Sequence, residues 1–313
     1  MFPSKKVLTS KLIGFVASVG LAAPLVATTP AASVYANGTE QPKLEFGVIP
    51  DVQYCDCEVN GTRYYRDSVT KLIDASQTLN QENVDFTVQL GDLIDRDVKS
   101  FSTILPIFNI IEGPKYHVLG NHDFPVKTDE VIDILGMKNQ YYDFKYKNWR
   151  FVVLDTNDLS FYANPKESEK YEEAEEMYSD LVESNAINAK TWNGGISTEQ
   201  LTWLQTVLGK AAKRNEKVVV FGHMPVYPEN IHNVWNAEEM IDVLEANDNV
   251  VAYFNGHNHA GNYGAQNGIH YVNLQGMVET EDATAYSIIR IYKNRLEIDG
   301  YGRESSRVLE IQE

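Results

Sequence analysis

Residues 86–95 read FTVQLGDLID, and the fold is decided there. Phe86, Val88 and Leu90 mark a short apolar run of strand length that stops at Gly91-Asp92. The same event recurs along the chain. The run 44–49 stops at Pro50-Asp51, 116–119 at Gly120-Asn121, 218–221 at Gly222-His223, and 250–254 just before Gly256-His257. Between these runs lie stretches of helical spacing. Val69, Leu72, Ile73 and Leu79 mark a helix within 64–79. Ser197 with Gln200 forms a capping box for a helix over 198–214, and Asn236 with Glu239 caps another. Strands alternating with helices predict a layered α/β domain.

The rest of the chain fits that reading. Residues 141–155 read as a hairpin turning at Lys147-Asn148, and 269–274, 285–292 and 295–300 as strands. Residues 160–195 break the rhythm. An acidic helical run over 171–178 lies between looser stretches, either a solvated surface helix or an insertion bordering the site. No linker divides the chain.

With 313 residues, 43% hydrophobic and 23% charged, the composition suits one large globular domain and excludes a wholly disordered chain. Lys5, Lys6 and Lys11 are the only charged residues among the first 36, so the net charge of −17 becomes −20 beyond them. So acidic a body repels a phosphate backbone, which argues against nucleic acid as a partner and against a nuclease. A small anionic substrate needs a local cationic receiver.

Residues 1–36 read as an export signal. The three lysines precede LIGFVASVGLAAPLVA, and Val34-Tyr35-Ala36 offers small residues at the cleavage positions. The expectation is a signal peptide over 1–36, a catalytic domain over 37–313 and a secreted, envelope or periplasmic location without stable membrane insertion after cleavage. Cys55 and Cys57 give no disulfide framework. A bond across so tight a loop would be strained, so free thiols are expected, with a local bridge as the alternative.

The chemistry sits where the strands stop, which is where open α/β sheets place their sites. Five strand ends carry metal-ligand residue types: Asp51 with Gln53, Asp92, Asn121 with His122, His223, and His257 with His259. Taken singly, an Asp at a strand end is an ordinary turn residue, and one His after Gly is ordinary structure. Five in succession are not, and four of the seven histidines fall inside the set. His117, His232 and His270 read as structural or surface residues.

The series D-x-Q, GDLID, GNHD, GH and GHNH resembles the calcineurin-like metallophosphoesterase superfamily. Within it, GVIPDVQY, GTRYYR, NGGIS-x-EQLTWL, GH-x-PVYP and GH-x-H-x-GNY are similar to the manganese-dependent ADP-ribose/CDP-alcohol diphosphatases. The resemblance implies a four-layer α/β/β/α sandwich of two mixed sheets. It also implies two divalent metal ions, with Mn the natural choice and Mg, Zn or Fe as alternatives. Asp92 would bridge them. Asp51, Gln53 and His259 would complete one site, and Asn121, His223 and His257 the other. Such a pair about 3.5–4 Å apart activates water and clamps a phosphoryl group. It would also supply the cationic receiver.

Gln53 stands where most of the superfamily has His, and an amide oxygen tilts the site toward Mn²⁺ or Mg²⁺ and away from Zn²⁺. Asp95 stands where an iron–tyrosinate site would need Tyr. By resemblance, His122 is the general acid and Asp95 fixes its tautomer. A bridging hydroxide attacks phosphorus and His122 protonates the leaving group. The implied substrate is a small nucleoside diphosphate-linked compound, ADP-ribose or a CDP-alcohol. Arg63, Arg96 and Tyr54 are the candidate contacts, and Tyr64, Tyr65 and Trp192 further aromatic shelves. The alternative is an extracytoplasmic phosphomonoesterase or phosphodiesterase of broad scope. A metal-binding surface protein with a decayed site is opposed by a full ligand set. Oligomeric state is not readable.

Overall fold

The computed structural model describes residues 40–312, so the export signal expected over 1–36 lies outside the described residues. Six strands form a first sheet: β1 (Leu44–Ile49), β2 (Phe86–Gln89), β3 (Lys115–His117), β10 (Ala285–Ile291), β11 (Arg295–Gly302) and β12 (Arg307–Glu310). Their order is β12-β11-β10-β1-β2-β3, parallel from β1 to β3 and antiparallel beyond β1. The second sheet holds β4 (Tyr142–Tyr146), β5 (Trp149–Val153), β6 (Lys217–Phe221), β7 (Val250–Asn255), β8 (Asn262–Gln266) and β9 (Ile269–Asn273). Its order is β4-β5-β6-β7-β9-β8, with a parallel centre and antiparallel edges.

Both faces of the central strands are buried, which is why their sequences are near-continuous apolar runs. In β6, Val219 and Phe221 face the other sheet while Val218 and Val220 face helices. Phe46 of β1 sits at the middle of the inter-sheet core. It stacks on Phe86 at 4.9 Å and meets Phe151 and Phe221 of the other sheet edge-on at 5.6 and 5.9 Å.

On the outside of the first sheet lie α1 (Ser68–Glu82), α2 (Val98–Phe108) and α3 (Thr128–Leu135), packed through Leu72, Leu79, Phe101, Ile104 and Val131. On the outside of the second lie α5 (Thr198–Lys213) and α6 (Ala237–Glu245), packed through Leu204, Leu208, Met240 and Leu244. The result is the expected α/β/β/α sandwich. Among the described residues, no helix is long and apolar enough to cross a membrane.

Two helix starts differ in detail from their sequence signatures. Ser197 Oγ does accept from Gln200 N at 3.2 Å, but the Gln200 side chain turns to the main chain of Asp155 instead of back to Ser197. The Asn236 side chain does not cap α6. It pairs with the main chain of Ile196 at 2.9 and 3.0 Å and donates to Glu239 Oε2 at 3.1 Å. The segment 160–195 contains α4 (Glu169–Glu183), exposed and acidic on one side. Its other side packs Ala174, Met177, Tyr178 and Leu181 around Leu159 and Trp235 as a small separate core.

Candidate metal centre

The five strand-end loops meet at one edge of the sandwich. Asp51, Asp92 and His259 bring ligand-type atoms within 4.8 Å of one another, and so do Asp92, His223 and His257. Asp92 belongs to both trios. Its Oδ2 lies 3.4 Å from His223 Nε2 and 3.2 Å from Gln53 Nε2, while Oδ1 accepts from the main-chain N–H of His122 at 2.8 Å. His259 Nε2 is 3.5 Å from Asp51 Oδ1, and Asn121 Oδ1 is 3.0 Å from His223 Nε2. All seven residues named from the sequence are therefore brought together.

The loops are built for this approach. A Cβ on Gly120 would lie 2.2 Å from Asp92 Oδ1, and one on Gly256 would lie 2.3 Å from Asp51 Oδ2, so each motif's glycine yields space to another motif's carboxylate. Asp51, Gln53, Asp92 and His257 all have positive φ, between 43° and 65°. Non-glycine residues rarely adopt this conformation, and held strain of this kind clusters at functional sites.

The donor set fits a pair of divalent cations. Gln53 Oε1 is buried without a hydrogen-bond partner among the described residues, an orphan acceptor that a metal would satisfy. Carboxylate and amide oxygens with imidazole nitrogens suit Mn²⁺ and similar ions. The electrostatics point the same way. Burial raises the Asp92 carboxyl, but His223, His122 and His257 around it hold it well below the usual carboxylate range. Burial disfavours charge on His223, yet Asp92 and Asp51 lift it to about 9. His259 is likewise lifted to about 9 by Asp51 and Glu279. Burial and the neighbouring His223 push His257 well down. In the metal-free chain, protons on His223 and His259 balance the carboxylates, a place that cations can take.

Each inward-facing imidazole has its outer nitrogen occupied. His223 Nδ1 donates to Leu90 O at 2.8 Å, His259 Nδ1 to Glu279 Oε1 at 2.7 Å, and His257 Nε2 to Asn193 Oδ1 at 2.9 Å. Asp123, the last residue of GNHD, holds the GDLID turn from below. It accepts from the main-chain N–H groups of Asp92, Gly120, Leu93 and Ile94, and burial with the nearby Asp92 charge lifts it to about 7. Asn193, Glu279 and this role of Asp123 are absent from the sequence reading. Only the motif letters NGGIS and GNHD signalled two of them.

His122 sits beside the centre with its side chain 29% exposed. Its Nδ1 lies 2.8 Å from the Asp95 carbonyl oxygen and 3.3 Å from the Asp95 carboxylate. The main-chain carbonyl is thus the closer partner. The other carboxylate oxygen of Asp95 pairs with Arg96. Arg96 also donates to the Tyr65 hydroxyl at 3.4 Å, so it is engaged in supporting Asp95.

Arg63 lies 3.8 Å from Glu279, next to His259. Tyr54 packs its ring on the apolar cluster beneath α1 and α2. Arg66 pairs with Asp56 and Glu58 at the surface. Trp192 is 45% exposed. His232, read as structural or surface, stands edge-on to His257 at 5.4 Å. Cys55 and Cys57 are joined as a disulfide, correcting the expectation of free thiols. The loop after Gln53 folds so that their Cα atoms are 5.2 Å apart, within bridging range despite the short spacing.

Comparison with known proteins agrees with this geometry. The calcineurin-like phosphoesterase family profile matches residues 44–261. A protein of Bos taurus named manganese-dependent ADP-ribose/CDP-alcohol diphosphatase is 30% identical over 85% of this chain and 94% of its own length. One of that name from Arabidopsis thaliana is 31% identical over 86% and 98%. The crystal structure of a dimetal phosphatase from Danio rerio superposes with a TM-score of 0.80 at 29% identity, covering 87% of this chain and all of that one.

Proposed function

The chain belongs to the calcineurin-like phosphoesterase family and is a metal-dependent hydrolase of phosphoric esters or anhydrides. From that premise we propose that it cleaves the diphosphate bond of nucleoside diphosphate-linked compounds such as ADP-ribose and CDP-alcohols. The observation that carries the chemistry is the pair of ligand trios sharing Asp92. The substrate class comes from the relatives, whose names specify it at about 30% identity over most of both chains.

Asp51, Gln53 and His259 would hold one cation and Asn121, His223 and His257 the other, with Asp92 common to both. Bound there, the cations polarise the phosphoryl group and supply a nucleophilic oxygen at neutral pH. His122 donates Nδ1–H to the Asp95 carbonyl, which fixes the ring and leaves Nε2 to deliver a proton to the leaving-group oxygen. Asp95 is kept in place by Arg96, which in turn leans on Tyr65. Arg63, half-exposed beside Glu279, is the donor for a phosphate lying beyond the metals.

With Mn²⁺ present, CDP-glycerol should yield CMP and glycerol phosphate. No CMP from metal-loaded protein would refute the substrate class while leaving the metal centre standing.

We also propose that the protein works outside the cytoplasmic membrane. The leader pattern of residues 1–36 supports this, as does the Cys55–Cys57 disulfide, since such bonds persist in oxidising compartments. N-terminal sequencing of the native protein should begin near Asn37. An intact Met1 on protein recovered from the cytoplasm would contradict it.

A further inference from the structure

We infer that Asn193, contributed by the irregular segment 160–195, is a positioning residue that sets the tautomer of His257 and so makes the second metal position. The inference rests on the two-metal reading above. Asn193 is fully buried, as a polar side chain is only when its hydrogen bonds are met. Its Nδ2 donates to Asn188 O at 3.0 Å and to Ile231 O at 2.8 Å. With both donors spent on carbonyl oxygens, the amide orientation is fixed, and Oδ1 must be the atom 2.9 Å from His257 Nε2. An amide oxygen only accepts, so Nε2 carries the hydrogen.

Nδ1 of His257 is therefore left with its lone pair. That atom faces the centre, 3.2 Å from His223 Nε2, where it can accept a hydrogen bond or bind a cation. The Asn193 bond thus leaves His257 with its lone pair directed at the metal position. Outer partners of this kind orient ligating imidazoles and raise their basicity.

Asn193 also joins three stretches of chain. Asn188 belongs to the segment after α4, where its own Nδ2 holds the carbonyls of Val234 and Trp235. Ile231 lies in the loop before α6, and His257 follows β7. The segment 160–195 is therefore tied to the metal centre through a single buried amide, not merely laid beside it.

The test compares Asn193→Leu with Asn193→Asp in the full chain. Both lose the donors to Asn188 and Ile231, and the Asp variant, which sets a carboxylate against those carbonyls, is the more disruptive to the fold. Only the Asp variant keeps an acceptor for His257 Nε2. Manganese binding is read by calorimetry and by metal analysis after desalting. The wild type and Asn193→Asp should hold two ions, while Asn193→Leu should bind one of them roughly 10- to 100-fold more weakly. Equal losses in the two variants, or two ions at unchanged affinity in Asn193→Leu, would overturn the inference. Long-range ¹H–¹⁵N spectra of the metal-free, ¹⁵N-histidine-labelled wild type give a second reading that needs no variant. His257 protonated on Nε2 supports the assignment, and Nδ1 protonation ends it. A wild type that binds fewer than two ions counts against the two-metal reading, while the tautomer still decides the role of Asn193.

Discussion

Asp92 Oδ2 lies 3.4 Å from His223 Nε2, and the same carboxylate closes the trio that contains Asp51 and His259. One side chain would therefore serve both proposed metal positions. Asp92→Asn should abolish binding of both ions, since each loses its shared anionic ligand. A variant that retains two metals on analysis would refute the sharing.

His122 touches the centre only through its main-chain N–H and keeps its ring at the opening. His122→Ala should therefore lower kcat by roughly 10²–10⁴ while metal content stays at the wild-type value. Unchanged turnover would remove it from the reaction. Loss of metal would make it structural.

Gln53 Oε1 is an orphan acceptor of the site among the described residues. Replacing it by an imidazole, Gln53→His, should lower the preference for Mn²⁺ over Zn²⁺, read as the ratio of the two affinities in competition calorimetry. A ratio equal to that of the wild type would show that the amide oxygen is not a ligand.

These predictions concern residues that were legible in the sequence, and the reason is physical. A ligand at a strand end is announced by the apolar run that stops there, and all five runs became strands with their ligands converging. What lay hidden was set by contacts across the chain. Asn193 is 64 positions from His257 and Glu279 is 20 from His259, and no periodicity links either pair. The positive φ of Asp51, Gln53, Asp92 and His257 belongs to the assembled loops; Asp and His tolerate it better than most residues, but their letters alone do not announce it. The edge strand β8 reads NYGAQ, without the apolar signal that marks a buried strand, and α2 carries Pro106 within it. Cys55 and Cys57 were misread because spacing alone does not show how a loop folds.

His117 offers a test of the fold apart from catalysis. Burial, aided by Lys115, lowers its pKa to about 4, and its ring packs 4.9 Å from Phe108. The unfolded chain, with an ordinary histidine near 6.5, then binds more protons between pH 6.5 and 4. Stability from this residue is complete above pH 6.5 and declines as pH falls toward 4. His117→Phe should flatten that part of the pH–stability curve by roughly 1–3 kcal/mol. A curve with the wild-type slope would show that the ring is not held neutral.

The most direct test of the account is Mn²⁺-supplemented hydrolysis of ADP-ribose, CDP-glycerol and p-nitrophenyl phosphate, side by side, compared by kcat/KM. The two diphosphates should be preferred, with AMP and CMP released and both activities lost on chelation. Preference for p-nitrophenyl phosphate, with little or no AMP or CMP formed, would contradict it.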